Sequence, residues 1–334
     1  MSASISTFRI DRAIPSAARS EHDTAVSSGS GAFRYPSLTT TVPKEFVHRA
    51  SVSEVMLTDW SRLDDDRFTV AAQWPRGHSF FANVDGCHDP LIAAETIRQA
   101  GILLAHAEYE VPLGHHFLVS DLSVNVDPQH IRVDWTPATL DLRVTCSEVK
   151  WRGDELVGFR ISVEIHREGC LAATGGGSLT TIAPKVYQRL RARHLPENGR
   201  PQVIGLTAPE PPQLVGRTSP MDVVLSPIGE SHRWQLRVDT RHPVLFEHMV
   251  DHVPGMVLLE AARQAAAATL GHASLPFDIT SEFTRYVELD APCMIEACRL
   301  VTGRTDREDS VLVTAHQQGV SVFRSTVTMA SITE

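Results

Sequence analysis

GCHDPLIAAETIRQAG, residues 86–101, and DHVPGMVLLEAARQAA, residues 251–266, are two copies of one segment. Each sets an acidic residue, a histidine and a proline ahead of an apolar run. Within that run Glu95, Arg98, Gln99 and Ala100 match Glu260, Arg263, Gln264 and Ala265. A repeat of roughly 165 residues that keeps charged side chains inside an apolar helix means two copies of one domain, with the polar groups placed for a reason.

Length and composition agree. A chain of 334 residues suits two domains, and an apolar content of 42% suits a globular protein with sizeable cores. The formal net charge of −9 and a pI of about 6.0 imply no broad basic face, so no nucleic-acid partner is expected. An acidic protein partner would need a local basic patch, which net charge does not reveal. The five cysteines, Cys87, Cys146, Cys170, Cys293 and Cys298, form no CxxC pair, so neither a disulfide framework nor a cysteine zinc site is expected. No apolar run reaches the ~18 residues of a membrane span, and no secretory signal is read at the N-terminus. The expectation is a cytoplasmic protein without membrane attachment.

Residues 1–40, rich in Ser, Ala, Gly and Thr, read as a mobile arm. Residues 41–183 form the first domain, the proline-dense stretch 184–217 an extended linker, and residues 218–334 the second domain. The order of elements repeats. Alternating stretches come first: SVSEVML and DRFTVAAQW in copy one, MDVVLSP and HRWQLRVDT in copy two. A histidine-bearing loop follows, then one helix over Leu91–Ala107 or Val257–Leu270, apolar on most faces and so buried. Further strands complete each copy: FLVSDLSVNV, LDLRVTCSEV, VGFRISVEIH and CLAATGGGSLTTI, against FTRYVELD, CMIEACRLVTG, VLVTAHQQ and VSVFRSTVTMAS. The expected class is α+β: two tandem hotdog domains, each an antiparallel sheet wrapped around a central helix, making an internal pseudo-dimer.

Burying a carboxylate costs several kcal/mol unless it is paired. Glu95 and Arg98, like Glu260 and Arg263, stand three apart, so a structural ion pair under each sheet is one reading. The other is catalytic. Pro90 and Pro254 mark helix starts, whose free N–H groups suit an oxyanion or phosphate, and a first-turn glutamate beside them would act as a base. Histidines recur before both helices: His78 and His242 occupy similar places, as do His88 and His252, with His248 nearby. Glu247, His248 and His252 have the residue types of a zinc site, but Pro254 and Gly255 interrupt the helix such a site needs, and no metal is expected. Gly175–Gly177 lacks a following GK[ST], so it marks a bulge or close backbone approach rather than a P-loop.

HMVDHVPGMVLLEAARQA, residues 248–265, resembles the helix start of hydroxyacyl-carrier-protein dehydratases, although its histidine-to-proline spacing is shorter. A closer resemblance is to the A-factor (γ-butyrolactone) biosynthesis family of actinomycetes. It is carried by VPKEFVHRASVSEVMLTDW, RFTVAAQWPRGHSFF and GCHDPLIAAETIRQAGILLAHAEYEVPLGHHFLVSDLSV in the first domain and HPVLFEHMVDHVPGMVLLEAARQA in the second.

That resemblance implies an acyltransferase without a cofactor. Family members join a β-ketoacyl group, delivered on acyl carrier protein, to the hydroxyl of dihydroxyacetone phosphate, and the ester closes to a butenolide phosphate on the way to a signalling lactone or a related furan. For such chemistry the catalytic candidates are Glu95, Glu260, His78, His88, His248 and His252. The substrate-binding candidates are Arg98, Arg263, Arg76, Arg241 and the helix start at Gly255 and Met256. Ile102, Leu103 or Leu270 would line an acyl tunnel. Active groups are expected from both halves across the pseudo-dimer interface, in a monomer or a homodimer. A hydroxyacyl-thioester dehydratase, a thioesterase and a non-catalytic acyl- or lactone-binding regulator are the alternatives.

Overall fold

The computed structural model describes residues 39–194, 202–301 and 308–331; of the arm expected over residues 1–40, only the last two fall among them. The first half consists of β1 (Leu57–Arg62), β2 (Arg67–Trp74), α1 (Pro90–Ala107), β3 (His116–Val126), β4 (Ala138–Arg152), β5 (Glu155–Arg167) and β6 (Cys170–Ile182). A helix, α2 (Pro184–Arg191), follows. The second half repeats the order: β7 (Leu225–Pro227), β8 (Arg233–Leu236), α3 (Gly255–Leu270), β9 (Ser274–Phe283), β10 (Cys293–Leu300), β11 (Glu308–Gln317) and β12 (Val320–Ser331).

Twelve strands make one antiparallel sheet in the order β1-β2-β4-β5-β6-β3-β9-β12-β11-β10-β8-β7. Exchanging each strand for its repeat partner reverses that list onto itself, so the sheet is a double hotdog about a pseudo-twofold axis. The two halves meet where β3 pairs with β9, Leu122 opposite Ser281 and Val124 opposite Ile279. Strand alternation sets which face is buried: along β4, Ala138, Leu140, Leu142, Val144 and Cys146 turn inward. α1 and α3 lie in the concave side, each buried along nearly its whole length. The glycines of β6 allow the sheet to curve around α1, since a Cβ on Gly175 or Gly177 would overlap the carbonyls of Ser123 or Asp121.

Several elements differ from expectation. SVSEVML carries a short 3₁₀ turn, Val52–Glu54, capped by Ser51, before β1 begins. FTRYVELD contributes only Phe283 to a strand, and Thr284–Asp290 forms a loop. The proline-dense stretch is not simply extended. It opens with α2, and it ends in a 3₁₀ turn, Pro212–Val215, that packs on α3 as Lys44–Val47 packs on α1. The second repeat therefore begins structurally within the stretch read as linker.

Candidate active site

The repeated polar residues build the same scaffold twice. Arg49 Nε donates to Glu95 Oε1 at 3.0 Å, Arg98 Nε to Glu95 Oε2 at 2.9 Å, and Gln99 Nε2 to Glu95 Oε1 at 2.7 Å. In copy two Arg217 Nε donates to Glu260 Oε1 at 2.8 Å, Arg263 Nε to Glu260 Oε2 at 2.9 Å, and Gln264 completes the set. Both carboxylates are fully buried. Burial alone would raise their pKa; the two guanidinia around each outweigh it and hold both near about 2. Each lies in the second turn of its helix, not the first, with both oxygens engaged. Glu95 in the first half, and Glu260 with Arg263 in the second, are thus each engaged in a buried ion-pair cluster.

His78 and His242 are equivalent in the same sense. His78 Nδ1 accepts from the Phe80 and Phe81 N–H groups at 3.1 Å each, and Nε2 faces Glu54 at 3.3 Å. His242 Nδ1 accepts from Val244 at 3.2 Å and Leu245 at 3.0 Å, and Nε2 faces Asp222 at 3.2 Å. Both rings tie a loop to an acidic side chain.

The pairing of His88 with His252 does not hold in three dimensions. His88 N–H donates to Ile131 O as Val253 N–H donates to Val287 O. Cys87 bridges Arg132 as His252 bridges Glu288. The true partners are His88 with Val253 and Cys87 with His252, a slip of one residue that turns the rings opposite ways. His88 is buried against Trp74, its ring centroid 5.4 Å from the indole, and burial, aided by Arg167, lowers its pKa to about 4. His252 instead lines a cavity of about 500 Å³ between the halves.

That cavity brings together His248, His252, Gly255 and Met256 of the second half with Arg98, His48, His116 and Phe117 of the first. Ile102 and Phe117 from one half, and Leu258, Leu259 and Phe283 from the other, form its apolar wall; neither Leu103 nor Leu270 lines it. Arg76 and Arg241 lie elsewhere on the surface, Arg76 donating to Asp134 O at 2.9 Å and Arg241 pairing with Asp239 at 2.8 Å.

His252 is the cavity-lining histidine that meets a carboxylate at 2.8 Å. Its Nδ1 lies 2.8 Å from Asp251 Oδ1. Asp251 also accepts from Tyr187 Oη at 2.6 Å and from Arg191 Nε at 2.9 Å. Burial opposes the charge on Asp251, but hydrogen bonds from His252, Tyr187 and Arg191 hold its pKa well below the usual carboxylate range. An ionised carboxylate only accepts, so the neutral form of this ring carries its hydrogen on Nδ1 and its lone pair on Nε2. Among the described residues no hydrogen bond occupies Nε2. Tyr286 packs edge-on against the ring at 4.7 Å.

The helix starts differ in the same direction. At α1 the Asp89 side chain accepts from the Leu91 N–H at 2.9 Å, Pro90 removes a donor, and Asp89 Oδ2 faces Arg217 Nη1 at 3.3 Å. That start is closed by its own carboxylate. At α3 Pro254 offers no side-chain cap, Gly255 is exposed, and among the described residues the Gly255 and Met256 N–H groups have no protein acceptor. Two aimed N–H groups beside an Asp–His pair can stabilise an oxyanion while the ring takes a proton.

Sequence reading missed Asp251, Tyr187, Arg191 and Arg285. Asp251 is the acidic residue of the repeated segment but is given no role in the site by that reading, and the residue in register with it in copy one is Gly86. Tyr187 and Arg191 fell in the supposed linker. Arg285 is exposed on the cavity rim in a loop read as strand, and among the described residues no carboxylate pairs with it.

A family model for the A-factor biosynthesis hotdog domain matches residues 33–183 and 201–333. A 2-oxo-3-(phosphooxy)propyl 3-oxoalkanoate synthase of Streptomyces virginiae is 50% identical over 86% of this chain and 96% of its own. One of the same name from Streptomyces griseus is 44% identical over 84% of this chain and 92% of its own. Among solved structures, the 12:0-ACP thioesterase from Umbellularia californica superposes with a TM-score of 0.46 at 11% identity, covering 78% of this chain and 96% of that one.

Proposed function

The chain belongs to the A-factor biosynthesis hotdog family, and on that premise we propose that it transfers a β-ketoacyl group from an acyl carrier protein to the hydroxyl of dihydroxyacetone phosphate. The product is the 2-oxo-3-(phosphooxy)propyl 3-oxoalkanoate of its relatives' names. One observation carries the assignment of the site: the uncapped start of α3 stands beside Asp251–His252 in the cavity, whereas the start of α1 is closed by Asp89. One site of the pseudo-dimer works, and both halves build it.

His252 Nε2 takes the proton from the substrate hydroxyl, and that oxygen bonds to the thioester carbon. Negative charge moves onto the carbonyl oxygen, facing the Gly255 and Met256 N–H groups. Collapse expels the thiolate, which recovers the proton from His252. Asp251 balances the imidazolium between these steps. Arg285 on the rim, with Arg98 deeper in the wall, supplies positive charge for the phosphate. The acyl chain lies along Ile102, Phe117, Leu258 and Phe283.

Purified protein is incubated with a β-ketoacyl thioester, with and without dihydroxyacetone phosphate, and the products are read by mass spectrometry. A phosphorylated ester or butenolide formed only with the phosphate present supports the transfer. Free acid in both tubes means hydrolysis, and unchanged carrier-bound thioester means a binding protein; either sinks the reading.

A further inference from the structure

Against a net charge of −9 the segment Pro184–His194 holds Lys185, Arg189, Arg191 and Arg193 and no acidic residue. α2 divides these between two faces. Inward, Tyr187 and Arg191 fasten Asp251 as described, and Arg191 also pairs with Glu288 at 2.6 Å. Outward, Lys185, Arg189 and, in the turn that follows, Arg193 are exposed, and four-residue spacing puts them along one side. Among the described residues none of the three has an acidic partner. Beside them two apolar side chains also face solvent, Val186 at 45% and Leu190 at 56% exposure.

We propose that the outer face of α2 is the docking surface for the protein that delivers the acyl thioester, recognised as an acidic helix with apolar residues at its centre. This rests on the acyl-transfer reading above. Two observations single out this occupant. The face is a cationic stripe flanking an apolar pair on an otherwise acidic chain, so its complement is acidic and amphipathic. It also stands at the cavity, because Tyr187 on the reverse of the same helix lines the wall beside His252. A carrier held there presents its flexible arm to the catalytic ring, while Tyr187 and Arg191 tie the docking helix to the dyad.

The test reverses the charge of the outer face in the full chain, with Lys185→Glu, Arg189→Glu and Arg193→Glu together and Arg189→Glu alone should the triple variant fail to fold. Turnover is compared on the carrier-bound β-ketoacyl thioester and on the same acyl group on pantetheine. The expected result is a roughly 10–100-fold loss in kcat/KM with the carrier, mostly in KM and shrinking with added salt, and under about a twofold change with pantetheine. Equal losses on both substrates would show that α2 acts only by holding Asp251, and would overturn the proposal. So would unchanged use of the carrier, or binding of the wild-type face to anionic phospholipid vesicles with no effect on the carrier. A wild-type protein that makes ester from neither thioester defeats the acyl-transfer reading instead. Calorimetric binding of the acylated carrier to wild type and variant then decides the docking face by itself: weaker binding to the variant supports it, and equal affinity overturns it.

Discussion

A histidine's role in this chain follows from what its ring nitrogens touch. His78 and His242 recur because each accepts two backbone N–H groups and meets an acid, a job both halves need. His252 has no counterpart, since Cys87 stands at its position in copy one. On the proposed reading, recurrence marks scaffold here and departure from the repeat marks chemistry. The two classes separate on substitution. His252→Ala is expected to lower kcat by ~10²–10⁴-fold with the melting temperature unchanged. His78→Ala is expected to cost about 1–3 kcal/mol of stability, because its loop amides lose their acceptor, with turnover per folded molecule intact. Chemical denaturation and steady-state rates on both variants check this, and a catalytic loss in folded His78→Ala would reverse the assignment. Glu260→Gln belongs with the scaffold. It leaves Arg263 buried without its counter-charge and Arg217 with only Asp89 at 3.3 Å, for a cost of ~3–5 kcal/mol. Full stability with lost turnover in that variant would restore Glu260 as the base.

The two helices differ in capping, and the proposed mechanism makes that a difference in use. α1 follows the ordinary rule, an aspartate N-cap and a proline at the first position. α3 breaks it, with no side-chain cap at Pro254, and on the proposed reading its free N–H groups serve the substrate. Pro254→Asp would give α3 the start that α1 has. The expected outcome is a protein more stable by about 0.5–2 kcal/mol whose kcat falls at least ~10²-fold, since the new carboxylate takes the oxyanion's place. Thermal melts and rates measured together decide it, and undiminished turnover would show that these N–H groups do not serve the reaction. The same level explains what could be read in advance. β4 was legible because Leu140, Leu142, Val144 and Cys146 alternate with polar residues, which expresses a strand buried on one face. Thr284–Asp290 also alternates, but its inward residues face the core and the cavity rim from a loop, a pattern that periodicity alone does not separate from a strand. The apolar pair of α2, Val186 and Leu190, faces solvent, so no buried apolar face marks this helix in the sequence. It is held by Tyr187 and Arg191 against Asp251 and Glu288, contacts sixty or more residues away in the chain.

At the scale of the whole molecule the duplication produces one body from two domains. β3–β9 pairing makes the sheet continuous, and an arginine crosses between halves on either side of the axis: Arg49 Nη1 to Glu247 at 3.0 Å, and Arg217 Nη1 to the Phe80 carbonyl at 2.6 Å. Each of these arginines also neutralises the buried glutamate of its own half, so loosening one half exposes a charge whose partners hold the other. The repeat and its internal pseudo-dimer were legible in the sequence; these arginine crossings were not, because Arg49 and Arg217 lay outside the matched segments. Acid provides the test. Folding holds Glu95 and Glu260 near about 2 against an ordinary 4.5, so the stability they contribute is full above 4.5 and is lost as pH falls toward 2. Burial, reinforced by nearby positive charge, likewise keeps His48 near about 3 and His88 near about 4 against 6.5. A depressed histidine also favours the fold at higher pH, so its contribution erodes first, as pH drops below 6.5. The melting temperature should therefore decline gently below pH 6.5 and steeply below 4.5. Both halves should melt in one transition throughout, with calorimetric and van't Hoff enthalpies in agreement. Two transitions separating as pH falls would show instead that the halves are independent domains joined only along a strand edge.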